Sequence, residues 1–164
     1  MKKFNLRSIL FSLLAISVVT SCGTSKSSSM NNFVARMQVD EPIEGVCDNS
    51  NVLVILPLEN NGQVEARASI SDEEIMNELN AKVSFLKDNP NYEDEGMVNL
   101  IINCKGEMVR CQIDNETKSP ELDEQIVAVF SKLKKWTPGK LHEKSVDTMV
   151  LYSFKIKNGK IDIS

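Results

Sequence analysis

Four cysteines and one histidine carry the nucleophilic or metal-binding chemistry of this chain: Cys22, Cys47, Cys104, Cys111 and His142. A thiol beside an imidazole can act as a nucleophile, so Cys104 or Cys111 with His142 is the catalytic pairing to weigh. His142 lies in KLHEKS, a stretch typical of an exposed loop that offers no group to orient the imidazole. The spacing of these residues also lacks the close ligand pairs of a metal site. The sequence therefore predicts that the protein is not an enzyme and uses no metal or other cofactor.

The first 21 residues have the layout of a secretory signal peptide. Lys2, Lys3 and Arg7 come first, an apolar run too short to stay in a bilayer follows, and small residues precede Cys22. The ending VVTSC resembles the lipobox of bacterial lipoproteins, in which the cysteine is acylated and becomes the new N-terminus. This resemblance implies that residues 1–21 are removed and that Cys22 carries the lipid, palmitate included, that anchors the protein to a membrane. A secreted protein with an incidental Cys22 is the alternative.

Charge and composition divide the rest of the chain into a tether and a domain. Residues 22–44 are predicted to form a flexible tether, because Cys22 is followed by the small, polar GTSKSSSMNN, and residues 45–164 are long enough for one domain. Loss of the three leader bases changes the net charge from -4 to -7, which argues against a nucleic-acid partner. Residues 40–96 hold fourteen acids and three bases, whereas residues 132–160 hold eight bases and two acids. This polarity could steer a partner, although two solvated faces would show it too.

The spacing of apolar residues predicts two amphipathic helices. The first starts at a Ser71–Glu74 capping box and should end before Pro90, with a stripe formed by Ile75, Leu79, Val83 and Leu86. The second starts with Ser119 as cap and Pro120 at its first position, and its stripe is formed by Leu122, Ile126, Val129, Phe130 and Leu133. Trp136 falls close to the same face. We therefore expect a buried indole at the helix end, with its N–H bonded to a partner at the rim.

Alternating apolar residues predict a small sheet. Residues 51–57 form a short β-branched run stopped by proline, and residues 97–113 read as a hairpin that turns at Lys105 and Gly106, where glycine can adopt a left-handed conformation. A bulge near Val109 and Arg110 would bring Met108, Cys111 and Ile113 to one face. VDTMVLYSFKIKNGKIDIS predicts a further strand, in which Val150, Tyr152, Phe154 and Ile156 alternate with Leu151, Ser153, Lys155 and Lys157, and the Asn158–Gly159 turn predicts a return strand over residues 160–163.

This hairpin limits the pairing of the three cysteines that remain after acylation. An oxidising compartment allows at most one disulfide among them. The predicted register places Cys104 in the turn and Cys111 near Asn99, which is too far for the two to bridge. A disulfide from Cys47 to either Cys104 or Cys111 remains open, and unpaired buried thiols are the alternative.

The predicted class is α+β, a small antiparallel β-sheet with two helices packed on one face. The order helix, glycine hairpin, helix, W-x-P, strand resembles the C-terminal domain of TonB energy transducers. The matching stretches are EGMVNLIINCKGEMVRCQI, LDEQIVAVFSKLKKWTPGKLHEKSV and LYSFKI, within residues 70–157. The most specific element is WTPGK between a helix and a strand. The resemblance implies structural anchors at Gly106, Trp136 and Pro138.

In the TonB family the last strand has an exposed edge that pairs with an extended segment of an outer-membrane receptor. Carried over to this chain, the peptide-binding edge comprises Thr148, Val150, Tyr152 and Phe154. The lipid-ready leader departs from the permanent helix of TonB, which argues against force transmission, and the return strand over residues 160–163 would cover the same edge. GTSKS lacks the acidic cluster of a surface-export signal, so we expect an outer-membrane anchor facing the periplasm. The alternative is a structural envelope lipoprotein that self-assembles, as a homodimer for example, or caps its own sheet edge.

Overall fold

The computed structural model describes residues 33–55 and 62–163. The predicted signal peptide, Cys22 and the first part of the tether lie outside these residues. The described elements, in chain order, are β1 Ala35–Arg36, β2 Leu53–Val54, β3 Gln63–Val64, β4 Arg67–Ala68, α1 Asp72–Lys82, α2 Phe85–Asp88, β5 Asp94–Ile102, β6 Met108–Asn115, α3 Pro120–Phe130, β7 Trp136–Thr137, β8 Gly139–Leu141, β9 Lys144–Val146, β10 Thr148–Lys157 and β11 Lys160–Ile163. In these ranges we find no helix with the length and apolarity needed to cross a membrane.

The main sheet has the strand order β1-β2-β10-β5-β6, and β11 also pairs with β10. Strand β10 is antiparallel to β5 along almost its whole length but parallel to β2, where Thr148 lies opposite Leu53. The sheet is therefore mixed, and the prediction of a purely antiparallel sheet was wrong. The predicted strand over residues 51–57 is a strand only at Leu53–Val54, and residues 56 and 57 lie outside the described ranges.

The main core lies between one face of the sheet and the helices. Its buried side chains come from alternate positions of β5 and β10 and from the apolar stripes of α1 and α3, as the periodicity predicts. Its large, fully buried side chains include Phe130, Phe154, Leu100, Ile126 and Leu79. The mixed α and β architecture with helices on one face of a sheet therefore agrees with the sequence.

The first predicted helix is broken in two. Its start is as expected: the Ser71 hydroxyl accepts from the Glu74 N–H at 3.2 Å, and the Glu74 carboxylate accepts from the Ser71 N–H at 2.8 Å. The helix does not continue to Pro90, however, because Val83 is extended, with ψ at 98°. At the break the Gln125 side-chain oxygen of α3 accepts from the Ser84 hydroxyl and the Phe85 N–H. This tertiary contact holds the start of α2 against α3, so local helix propensity does not decide the boundary.

The hairpin of β5 and β6 confirms the predicted turn and bulge. Asn103 pairs with Glu107, and Gly106 has a φ of +80°. The register slips beside Ile102, so that Val109 has no partner and Met108, Cys111 and Ile113 all pack on the main core. Cys111 lies opposite Leu100, one residue from the predicted neighbour, because the bulge uses one position of β6.

Replacing Gly106 by alanine should lower the free energy of unfolding by about 2 kcal/mol, since the left-handed backbone strains any residue with a β-carbon. An added β-carbon would also lie 2.3 Å from the main-chain oxygen of Trp136. Gly62→Ala is the matched control: Gly62 also has a positive φ of +68°, but its β-carbon would meet only the movable imidazole of His142. Urea titrations of both variants measure the difference. Equal losses would show that the clash with Trp136 contributes nothing.

Trp136 is buried as predicted but does not lie on the helix. Helix α3 ends at Phe130, and the left-handed Lys135, with φ at 73°, redirects the chain so that Trp136 enters the short strand β7. The indole is 7% exposed, and its N–H donates to the main-chain oxygen of Leu133 at 3.2 Å. The predicted burial and hydrogen bond are confirmed, whereas the predicted helical position was wrong because the chain leaves the helix earlier.

Residues 33–55 cross the sheet on the side opposite the helices. They form a second, small apolar cluster in which Ile43 and Val52 pack on Ile101 of β5. Strands β1 and β2 extend the sheet from the same segment. Residues 33–44, which the sequence assigns to the tether, thus include a strand and a buried isoleucine, and ordered structure begins before residue 45.

Candidate functional site

Among the described residues, the outer edge of β10 is covered at both ends and open between them. Thr148 and Met149 pair with β2, and residues 154–157 pair with β11. No described residue pairs with residues 150–153 on this side. We call residues 150–153 the open window.

The main-chain groups of Leu151 and Ser153 face the open window. Successive residues of a strand direct their N–H and C=O groups to opposite sides. The Asp147 C=O accepts from the Leu53 N–H at 2.9 Å. At this end of β10, the main-chain N–H and C=O groups of odd-numbered residues therefore face the outer edge. At the other end of β10, the hairpin turn pairs Lys157 with Lys160. The main-chain groups of odd-numbered residues therefore face the outer edge there as well. The window therefore presents two N–H and two C=O groups that β5 does not use.

The four residues predicted to form a peptide-binding edge have different surroundings. Thr148 is covered by β2 and Phe154 by β11, so neither lies at a free edge. Val150 and Tyr152 lie within the open window. The return strand over residues 160–163 forms as the Asn158–Gly159 turn predicts, with both residues at positive φ, and it covers only part of the edge. The cover from β2 has no signal in the local sequence.

A cavity of about 490 Å³ adjoins the open window on the helix side of the sheet. One wall is formed by Val150, Leu151 and Tyr152, and the opposite wall by the segment from Glu65 to Asp72. Ile163, the last described residue of β11, also lines the cavity. Apolar side chains line much of the cavity, and its charged groups are Glu65, Arg67 and Asp72.

The pKa values of Tyr152 and Glu65 are both shifted by burial and by the charged groups of this cavity. Burial raises the pKa of the Tyr152 hydroxyl, and the negative charges of Asp72 and Glu65 raise it further. Burial also raises the pKa of the Glu65 carboxyl, where Arg67 acts in the opposite direction and Asp72 in the same one. At the Glu65 carboxyl, the charge of Arg67 therefore has a larger effect on the pKa than the charge of Asp72.

Trp136 anchors the wall of the cavity that faces β10. Strand β7 pairs with β4, so that Trp136 lies opposite Ala68 and Thr137 opposite Arg67. The Ser69 N–H donates to the main-chain oxygen of Lys135 at 3.0 Å, which extends this connection towards Asp72. The three anchors expected from the resemblance also meet here, because Gly106 lies beneath the main-chain oxygen of Trp136 and close to Pro138.

A disulfide joins Cys47 to Cys104, one of the two pairings that the sequence left open. The buried Asp147 carboxylate supports it, accepting from the main-chain N–H groups of Cys47, Asp48 and Cys104 at 2.8 to 3.0 Å. Both sulfurs and the carboxylate lie within 4.8 Å of one another, but the sulfurs are bonded to each other. This cluster fastens residues 33–55 to the hairpin turn and to the start of β10.

The remaining thiol and the histidine contact different elements. Cys111 is half-buried, its sulfur 3.8 Å from the Val127 oxygen of α3, and burial raises the pKa of its thiol. His142 lies in the turn between β8 and β9, against Gly62. The structure therefore does not bring a free thiol of the described residues to the imidazole. Sequence reasoning missed Asp147, Glu65 and Asp72, whose roles depend on contacts that are distant along the chain.

No family model, curated protein or solved structure matches the chain.

Proposed function

We propose that this protein is a lipid-anchored periplasmic binding module that pairs an extended segment of another envelope protein along the open window. The observation that carries the proposal is that none of residues 33–55 and 62–163 pairs with the outer edge of β10 over residues 150–153. Strand addition obtains affinity from main-chain hydrogen bonds and selectivity from alternate side chains. The window supplies the main-chain groups, and the adjoining cavity supplies space for a side chain.

The covered ends of β10 set the size of the partner segment. Four residues of a strand span roughly 13 Å, and β2 and β11 stand at the two limits of that span. A single extended segment of three or four residues fits between them, whereas the edge of another sheet would collide with both. The partner is therefore a mobile, extended stretch of chain.

The resemblance to TonB C-terminal domains gives this binding a context. It favours a receptor segment at the outer membrane as the partner and a link to TonB-dependent transport. With a lipid in place of the permanent helix of TonB, the module would bind such segments without transmitting force.

Titrating the ¹⁵N-labelled full chain with extended peptides from outer-membrane receptors tests the proposal. We expect the amide signals of Leu151 and Ser153 to shift on binding, with a dissociation constant of about 1 mM or lower. Leu151→Pro should abolish the shifts, because proline removes an N–H that faces the window and spares the β5 ladder. Leu151→Thr is the matched control, since it keeps the N–H and should retain binding. Peptides that leave residues 150–153 unperturbed at that concentration would contradict the proposal.

The open edge of β6 favours a second candidate, assembly between copies. Strand β6 ends the sheet, and within residues 33–55 and 62–163 no strand pairs with its outer side. Two copies could pair these edges about a two-fold axis, although the bulge at Val109 disfavours a long continuous ladder. Sedimentation velocity distinguishes the candidates: a monomer at every concentration excludes assembly and leaves peptide pairing in place.

A further inference from the structure

We infer that the open window selects an extended segment with a lysine or arginine at its centre and an apolar residue on each side. This inference rests on the proposed function, because it specifies which segment the window takes.

The central position follows from strand geometry. In a partner strand paired with β10, the residue opposite Tyr152 points to the same face of the sheet as Tyr152. That face carries the helices and the cavity bounded by Glu65 and Asp72. The cavity thus receives one partner side chain, and its volume of about 490 Å³ accommodates a long one.

The charged groups that line the cavity determine which charge the partner side chain should carry. The charged groups facing it are Glu65, Arg67 and Asp72, which leaves one negative charge in excess. Asp72 and Glu65 both raise the pKa of the Tyr152 hydroxyl, so the negative potential extends to the window itself. The two carboxylates do not form a site on their own; the site is the window with its free main-chain groups, and they set its preference. A lysine or arginine can place its aliphatic stem along Ala66 and Ile70 and its charge near the carboxylates.

The flanking positions follow from the other face of the sheet. The partner residues opposite Leu151 and Ser153 point away from the helices, beside the Leu151 side chain. Leu151 is 39% exposed and is one of three large apolar side chains exposed in the described residues. Apolar, β-branched residues at these two positions would cover it and favour the extended conformation.

Three synthetic heptapeptides that differ only at the central residue test the inference on the full chain. The central residue is lysine, norleucine or glutamate, between valines. We expect the lysine peptide to bind about fivefold more tightly than the norleucine peptide and at least about tenfold more tightly than the glutamate peptide. Raising the salt concentration should reduce both ratios.

Charge variants identify the groups responsible. Asp72→Asn and Glu65→Gln should each bring the lysine-to-norleucine ratio close to one, whereas Arg67→Gln should increase it. Glu73→Gln is the matched control, because Glu73 lies in the same helical turn as Asp72 but does not line the cavity, and its ratio should stay unchanged.

The two levels of the idea fail separately. If all three peptides shift the amides of Leu151 and Ser153 with equal affinity, strand pairing holds and the inferred selectivity is overturned. If no peptide shifts them, the proposed function itself fails. Preferential binding of the glutamate peptide would overturn the inference directly.

Discussion

Replacing Trp136 by alanine is expected to lower the free energy of unfolding by about 4 kcal/mol, the usual loss for a buried tryptophan. The indole packs in the main core with Phe130 and the helix stripes, and its N–H is bonded to the Leu133 oxygen. Because β7 holds β4, the wall of the cavity from Glu65 to Asp72 should also loosen. Guanidinium titrations followed by far-UV circular dichroism measure the stability without relying on the fluorescence of Trp136.

Two further variants test whether the loss of stability comes from the buried packing of the indole. Phe33→Ala removes an aromatic side chain that is 54% exposed, and it should cost less than about 0.5 kcal/mol. Trp136→Phe keeps most of the apolar contact and loses the N–H. Its loss of unfolding free energy should therefore lie between the losses for Trp136→Ala and Phe33→Ala. An unfolding midpoint for Trp136→Ala equal to that of Phe33→Ala would show that the indole does not close the core.

Loss of the Cys47–Cys104 disulfide is expected to lower stability by a similar amount. The two cysteines are 57 residues apart in sequence, and a loop of that length predicts a loss of about 4 kcal/mol when the cross-link is removed. The double variant Cys47→Ser/Cys104→Ser and treatment of the native chain with a dithiol reductant should give similar urea midpoints. Cys111→Ser is the matched control, and it should change stability by about 1 kcal/mol or less because Cys111 is half-buried and unpaired.

The same change should widen the open window. The disulfide and the Asp147 carboxylate hold the segment that carries β2, and β2 covers Thr148 and Met149 through only two residues. After reduction the Leu53 amide, bonded to the Asp147 oxygen in the native state, should exchange with solvent much faster than the amides of β5. A reduced protein with an unchanged midpoint and a protected Leu53 amide would contradict this role of the disulfide.

Sequence alone determined the features that depend on neighbours along the chain. The Ser71 capping box, the start of α3 at Pro120, the left-handed Gly106 and the bulge at Val109 all agree with the structure. Each involves residues a few positions apart in sequence, and the types of these side chains favour one local conformation. The burial of Trp136 was predictable for a related reason, because a large apolar side chain next to an amphipathic helix has few other places to go.

Tertiary structure decided the rest, including the candidate site. The window exists because β2 covers one end of β10 and β11 the other, and only the second cover has a local signal, the Asn158–Gly159 turn. Sheet pairing uses main-chain groups that every residue carries, so without a connecting turn the sequence does not indicate which distant strands pair. The choice of Cys104 over Cys111 likewise depends on where residues 33–55 cross the sheet. Asp147 binds the Cys47 N–H across 100 positions of sequence, a contact that exists only once the chain has folded.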